Sequence, residues 1–76
     1  MAKKQRSNEA VYKVVEVVGT SPVSWEDAAQ RAVGAASETI RDLRIAEVLQ
    51  MDMKVEKGKV VAYRTRVALS FKYVRD

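Results

Sequence analysis

The chain has no cysteine and no histidine among its 76 residues. Disulfides are therefore excluded, together with the usual zinc and haem sites and Cys- or His-based catalysis. A chain without cysteine fits a reducing compartment, so a cytoplasmic location is expected. No apolar run approaches the roughly 20 residues of a membrane span. No apolar segment follows the basic start, as it would in a secretory signal. Gly-rich phosphate loops, HExxH helices and EF-hand loops are all missing. Asp and Glu are scattered singly. With no catalytic constellation present, the expectation is a protein that is not an enzyme.

Positive charge is concentrated at the start. The net charge is +4, and Lys3, Lys4 and Arg6 carry three of those charges. Residues 1–9 are polar and aperiodic and read as a flexible basic tail. Residues 10–76 read as a single domain. Hydrophobic residues make up 47% of the chain, more than a disordered segment carries.

What is present is β-branched and periodic. Residues 10–18 are dense in valine and read as a first strand with two apolar faces. Gly19 to Ser24 is expected to break that strand, with Gly19 permitting a reversal and Pro22 unable to continue a ladder. Ser24 reads as a helix N-cap, with Glu26 and Asp27 at the positive end of the helix dipole. Trp25, Ala28, Ala29, Ala32, Val33, Ala36, Ile40 and Leu43 recur at helical spacing, which predicts a helix from about Trp25 to about Asp42. Trp25 is expected to anchor its start in the core, and Gly34 to mark a tight contact. Residues 44–56 predict a second strand. Ile45, Leu49, Met51, Met53 and Val55 share one face, and Ala46, Val48, Gln50, Asp52, Lys54 and Glu56 the other. A third strand follows the turn at Gly58. Val61, Tyr63, Thr65, Val67, Leu69, Phe71 and Tyr73 alternate with Ala62, Arg64, Arg66, Ala68, Ser70 and Lys72. The fold class is α+β, in the order β-α-β-β.

The length of the last two strands is informative. At about 13 residues each they span about 40 Å. A helix of the predicted length covers about 27 Å. Met51, Met53, Tyr63, Phe71 and Tyr73 should then lie exposed in a monomer, and a patch of that size marks an interface. An obligate homo-oligomer is expected, and Phe71→Asp is expected to abolish assembly. A small basic RNA-binding domain is the reading from another class, since Arg64, Arg66 and Lys72 line one strand face. Against it, Tyr63, Phe71 and Tyr73 lie on the opposite face from the arginines, where they cannot join them in stacking bases. Glu47, Asp52 and Glu56 are also available to pair with those arginines.

Several stretches together resemble the dodecin family. These are Val11-Tyr12-Lys13-Val14 through Gly19-Thr20-Ser21, then Ser24, Ala28 and Ala29, then Ala46-Glu47-Val48, then Tyr63 through Phe71. The resemblance spans residues 10–74. It implies a three-stranded antiparallel sheet wrapped around one helix, with twelve copies forming a hollow sphere. It also implies a storage protein that holds flavins (riboflavin or FMN) between subunits. In the family a tryptophan before the Ala-Glu-Val motif stacks on the flavin, and a glutamine after the third-strand tyrosine bonds its polar edge. Here those positions are Ile45 and Arg64. Isoleucine has no π face, and arginine has no acceptor. Ser21-Pro22-x-Ser24-Trp25, Gln50-x-Asp52-Met53, Ile45 and Tyr63-Arg64 look more like the subgroup called calcium dodecins. If a calcium site exists, it would be built between subunits, and Glu47, Asp52 and Glu56 are the candidate ligands. The ligand expected between subunits is an ion such as calcium or a small anion, with weakened flavin binding as the alternative.

Overall fold

The computed structural model describes residues 11–72. The proposed basic tail and Tyr73 lie outside the described residues. The order is β1 (Tyr12–Ser21), α1 (Trp25–Ser37), β2 (Leu43–Glu56) and β3 (Lys59–Lys72). The three strands form one antiparallel sheet in the order β1-β3-β2, with the last strand in the centre. No helix among the described residues is long and apolar enough to cross a membrane.

The strand break expected at Gly19 does not occur. β1 runs on through Gly19 and Thr20 to Ser21. Gly19 is needed there for proximity, not for a reversal. A Cβ on residue 19 would lie 2.0 Å from the Ala28 carbonyl oxygen and 3.0 Å from the Ala32 Cβ. The helix backbone therefore rests directly on the strand, which only glycine permits. Gly34 was expected to mark such a contact and does not, since nothing lies within 4 Å of its would-be Cβ.

The helix starts where its capping residues predict. The Ser24 hydroxyl accepts from the Asp27 N–H at 2.9 Å, and Glu26 and Asp27 lie in the first turn. It stops at Ser37, short of Asp42. The Thr39 and Ile40 N–H groups both donate to the Ala36 carbonyl, closing the last turn. Asp42 then takes a left-handed φ of 58°, and its carbonyl accepts from the Lys72 N–H at 3.1 Å. Leu43 keeps its core-facing position through this turn as the first residue of β2, whereas Ile40 lines an open cleft.

The predicted faces of β2 need one correction. The register pairs Val48 with Val67 but Gln50 with Arg66, so Leu49 is an extra residue without a partner on β3. An inserted residue shifts the alternation by one and exchanges the two faces beyond it. Ala46 and Val48 consequently share the helix side with Met51 and Met53. Ile45 and Glu47 share the far side with Gln50, Asp52 and Lys54. A matching irregularity skips Val61 at the hairpin end, where Lys57 and Gly58 take φ values of 52° and 75°.

The core is small. Among the described residues Val67 and Leu69 are the large apolar side chains that are fully buried, clustered with Ala32; Ala28 is buried too, and Ala68 is buried on the opposite face of β3. The helix packs over β1 and β3, with Val17, Ala29, Val33, Ala36 and Leu43 closing the cluster. The helix side of β2 is left open: Val48 is 51% exposed, Met51 56% and Met53 46%. Tyr63 and Phe71, expected to be exposed, are half-buried. The Tyr63 ring packs edge-on against Trp25, with centroids 5.1 Å apart. Loss of assembly in Phe71→Asp would therefore not separate a broken interface from a damaged protomer.

Gly19→Ala is expected to destabilise the protein by about 1–3 kcal/mol through overpacking, measured by urea unfolding at fixed protein concentration. Gly34→Ala should instead stabilise it by up to about 1 kcal/mol. Equal effects at the two glycines would contradict this account of Gly19.

Candidate functional site

The far face of the sheet carries the charged groups. β3 contributes Arg64 and Arg66, whose spacing of two puts them on one side. β2 contributes Glu47, Asp52 and Lys54, and β1 contributes Glu16 and Val18. Asp52 sits directly opposite Arg64 in the register, and Val18 opposite Arg66.

Asp52 is held at both ends. Its carboxylate accepts from Arg64 Nε at 2.7 Å and from Nη2 at 2.9 Å. This is a two-pronged pair that uses both carboxylate oxygens. The Asp52 backbone carbonyl accepts from the Trp25 indole N–H at 2.9 Å. The Trp25 carbonyl in turn accepts from the buried Thr65 hydroxyl at 2.8 Å. Trp25 thus anchors the helix start to β2 and β3, as a structural residue would. The Arg64 hydrogen bond holds the Asp52 carboxyl below its ordinary range, and the same bond raises Arg64. Arg66 reaches the other way, to Glu16 at 3.4 Å.

A second polar cluster secures the corner between β1 and α1. The Ser21 hydroxyl, fully buried, donates to Asp27 at 2.5 Å and accepts from the Val23 N–H at 2.9 Å. Arg31 Nε donates to the same Asp27 oxygen at 2.7 Å. The Ser21 hydrogen bond, then that of Arg31, holds the Asp27 carboxyl low. Every member is accounted for by the turn, so this cluster is structural.

The two positions expected to face a flavin do not meet within one chain. Ile45 lies opposite Ser70, six residues along β3 from Arg64, which is about 20 Å. Both are on the far face, and Ile45 is 57% exposed. Ile45 presents an aliphatic surface, and Arg64 is already engaged by Asp52. Any pocket using both positions requires a neighbouring copy.

The sequence placed Glu47 on the opposite face of β2 from Asp52 and Glu56. The bulge at Leu49 corrects this and puts all three on the far side. They stand in a row: Glu47 is opposite Ala68, Asp52 opposite Arg64 and Glu56 opposite Lys59. Neighbours in that row are about 13 Å apart. Their hard carboxylate oxygens suit calcium, but no single ion spans that distance. Among the described residues no group of three metal-ligating side chains comes together. A cation site would therefore have to draw donors from more than one copy. Glu56 also has Lys54 at 3.6 Å.

The sequence reading missed two features. Asp42, Thr39, Ile40 and Phe71 line an open cleft of about 550 Å³ with Lys13, Arg41 and Lys72. A second, apolar cleft of about 350 Å³ runs between α1 and β2, past Ala29, Val33, Ala46 and Val48. The β2 wall of the second is Ala46 and Val48, which lie opposite the core residues Leu69 and Val67 of β3.

This is the geometry of a small α+β binding protein, with its charged groups paired on one sheet face and its apolar row open on the other. The dodecin family model matches residues 11–74, and the chain belongs to the dodecin family. It is 44% identical over 63 residues to the calcium dodecin of Mycobacterium tuberculosis, covering 83% of this chain and 89% of that one. A crystal structure of that organism's calcium dodecin, described as calcium-chelating with a novel calcium-binding site, matches at TM-score 0.76 and 45% identity, over 87% of this chain and 94% of the other. The dodecin of Streptomyces coelicolor matches at TM-score 0.83 and 37% identity, over 88% and 96%.

A carboxyl held low in the folded state adds stability above its unfolded pKa and loses it as pH falls through the folded value. Wild type is therefore expected to be more stable than Asp52→Asn at pH 7. The gap should close as pH falls below the ordinary aspartate value of 3.8. Chemical unfolding at a series of pH values checks this, and a gap that does not narrow as pH falls below that value would contradict it.

Proposed function

We propose that the chain forms a hollow homododecamer, a non-enzymatic shell that binds and stores a small ligand between subunits. The ligand class favoured is a divalent cation, calcium foremost, held by carboxylates from Glu47, Asp52 and Glu56 of neighbouring copies. A small anionic ligand is the next choice. The proposed subunit contact includes the open row of Met51 and Met53, extending to Tyr63, Phe71 and Tyr73 toward the strand ends. Nucleic acid is not the favoured partner, because Arg64 and Arg66 both have carboxylate partners in the same chain.

One observation carries the departure from flavin storage: the Arg64 fork is closed on Asp52. A flavin edge would meet a guanidinium whose Nε–H and one Nη2–H are committed to Asp52 and which offers no acceptor for a ring N–H. Ile45 removes the stacking term as well. The similarity to calcium dodecin supports the cation reading.

Titration of riboflavin or FMN followed by fluorescence tests this reading. Little quenching is expected at micromolar protein. Strong quenching at or below that concentration would restore flavin storage as the function, with Arg64 and backbone groups holding the ring.

A further inference from the structure

We infer that the cleft beside the last turn of α1 binds a small organic anion, one with a phosphate or carboxylate on an apolar body. The inference rests on the storage reading above and gives its anionic ligand class a place.

The cleft holds about 550 Å³, within the range of about 300–1,000 Å³ that small-molecule pockets occupy. Its floor is apolar: Phe71 and Ile40 line it, and both are half-buried. Its rim is cationic. Lys13, Arg41 and Lys72 stand there against one acid, Asp42. Arg44 lies 3.6 Å from the Asp42 carboxylate and offsets it. The negative end of the helix is taken up as well, since the Ala36 carbonyl accepts from the Thr39 and Ile40 N–H groups. A cleft with cations over apolar walls concentrates negative charge.

Two features set this cleft apart from the rest of the charged surface. The first is what its cations lack. Of the five described arginines, Arg31, Arg44, Arg64 and Arg66 each have a carboxylate partner. Among the described residues Arg41 has none, and neither has Lys72. The planar fork of Arg41 therefore stands ready for a phosphate or carboxylate. The second feature is a fixed frame. Asp42 takes a left-handed φ of 58°, and its carbonyl accepts from the Lys72 N–H at 3.1 Å. That bond ties the turn over 38–42 to the end of β3. Arg41 and Lys72 are thus carried by segments bonded to each other, which lowers the ordering cost of meeting one ligand. An inorganic anion leaves the apolar floor unused, and a neutral apolar ligand leaves the cations without a counter-charge. Phe71 also stands at the end of the proposed subunit contact, so the ligand would sit beside a neighbouring copy.

The test is isothermal titration of the full-length protein with phenyl phosphate. Inorganic phosphate and phenol serve as arms that each carry half of the chemistry. Phenyl phosphate is expected to bind at least about fivefold more tightly than either, since only it both covers the floor and meets the rim. Arg41 is exposed and unpaired among the described residues, so Arg41→Gln should leave the fold intact. It is expected to weaken phenyl phosphate about two- to fivefold, and Lys72→Gln should act in the same direction. Lys57→Gln removes the same charge at the hairpin, the opposite end of the sheet, and should change nothing. Equal weakening by Lys57→Gln and Arg41→Gln would overturn the inference, because net charge alone would then explain it. Phenyl phosphate binding no tighter than inorganic phosphate would overturn it too. No binding at millimolar phenyl phosphate, by a protein that native mass spectrometry shows to be assembled, would overturn the inference and leave the shell reading standing. Binding at the cleft by a chain that does not assemble would support the inference and overturn the shell reading.

Discussion

The Ala28 carbonyl occupies the space where residue 19 would carry a side chain. That contact draws α1 down onto β1, and much of the structure follows from it. Alanines at 28 and 32 let the helix settle over β1 and β3, where Val67 and Leu69 become fully buried. A helix seated this low and to one side meets β2 at Trp25 and leaves most of that strand uncovered. β2 is left with its apolar row of Val48, Met51 and Met53 in the open. The protomer is therefore a half-covered sheet. Among the described residues fourteen large apolar side chains are exposed, from Val11 to Val61, distributed over both sheet faces.

The other side of the sheet follows a different rule. Charges there are matched within the chain, Arg64 with Asp52 and Arg66 with Glu16. If a ligand is held between subunits, as the family resemblance implies, paired charge on this face limits what can enter. An aromatic ring finds no aromatic partner at Ile45 and no acceptor at Arg64. A cation finds carboxylates, but the best placed of them is already gripped.

Much of this was legible in the sequence, for identifiable reasons. The element order followed from the density of β-branched residues, the helical stripe and the Ser24 cap. The excess length of β2 and β3 announced an uncovered surface. The errors have physical causes too. Gly19 reads as a turn because its role depends on a helix packing from another part of the chain. The helix reads too long because Leu43 keeps a core position after the helical turns have ended. The bulge at Leu49 is set by pairing with β3 and leaves no mark on β2 itself. It moved Glu47 to the same side as Asp52, and Ala46 and Val48 to the side of the methionines. Tyr63 was taken as exposed because nothing local links it to Trp25, its ring partner.

The central claim is that one chain is an incomplete unit and that the far-face residues form a site only between copies. Native mass spectrometry of the purified full-length protein tests this most directly. The account predicts one dominant species at about twelve protomer masses, the number the family resemblance implies. A monomer or dimer persisting at micromolar concentration would contradict it.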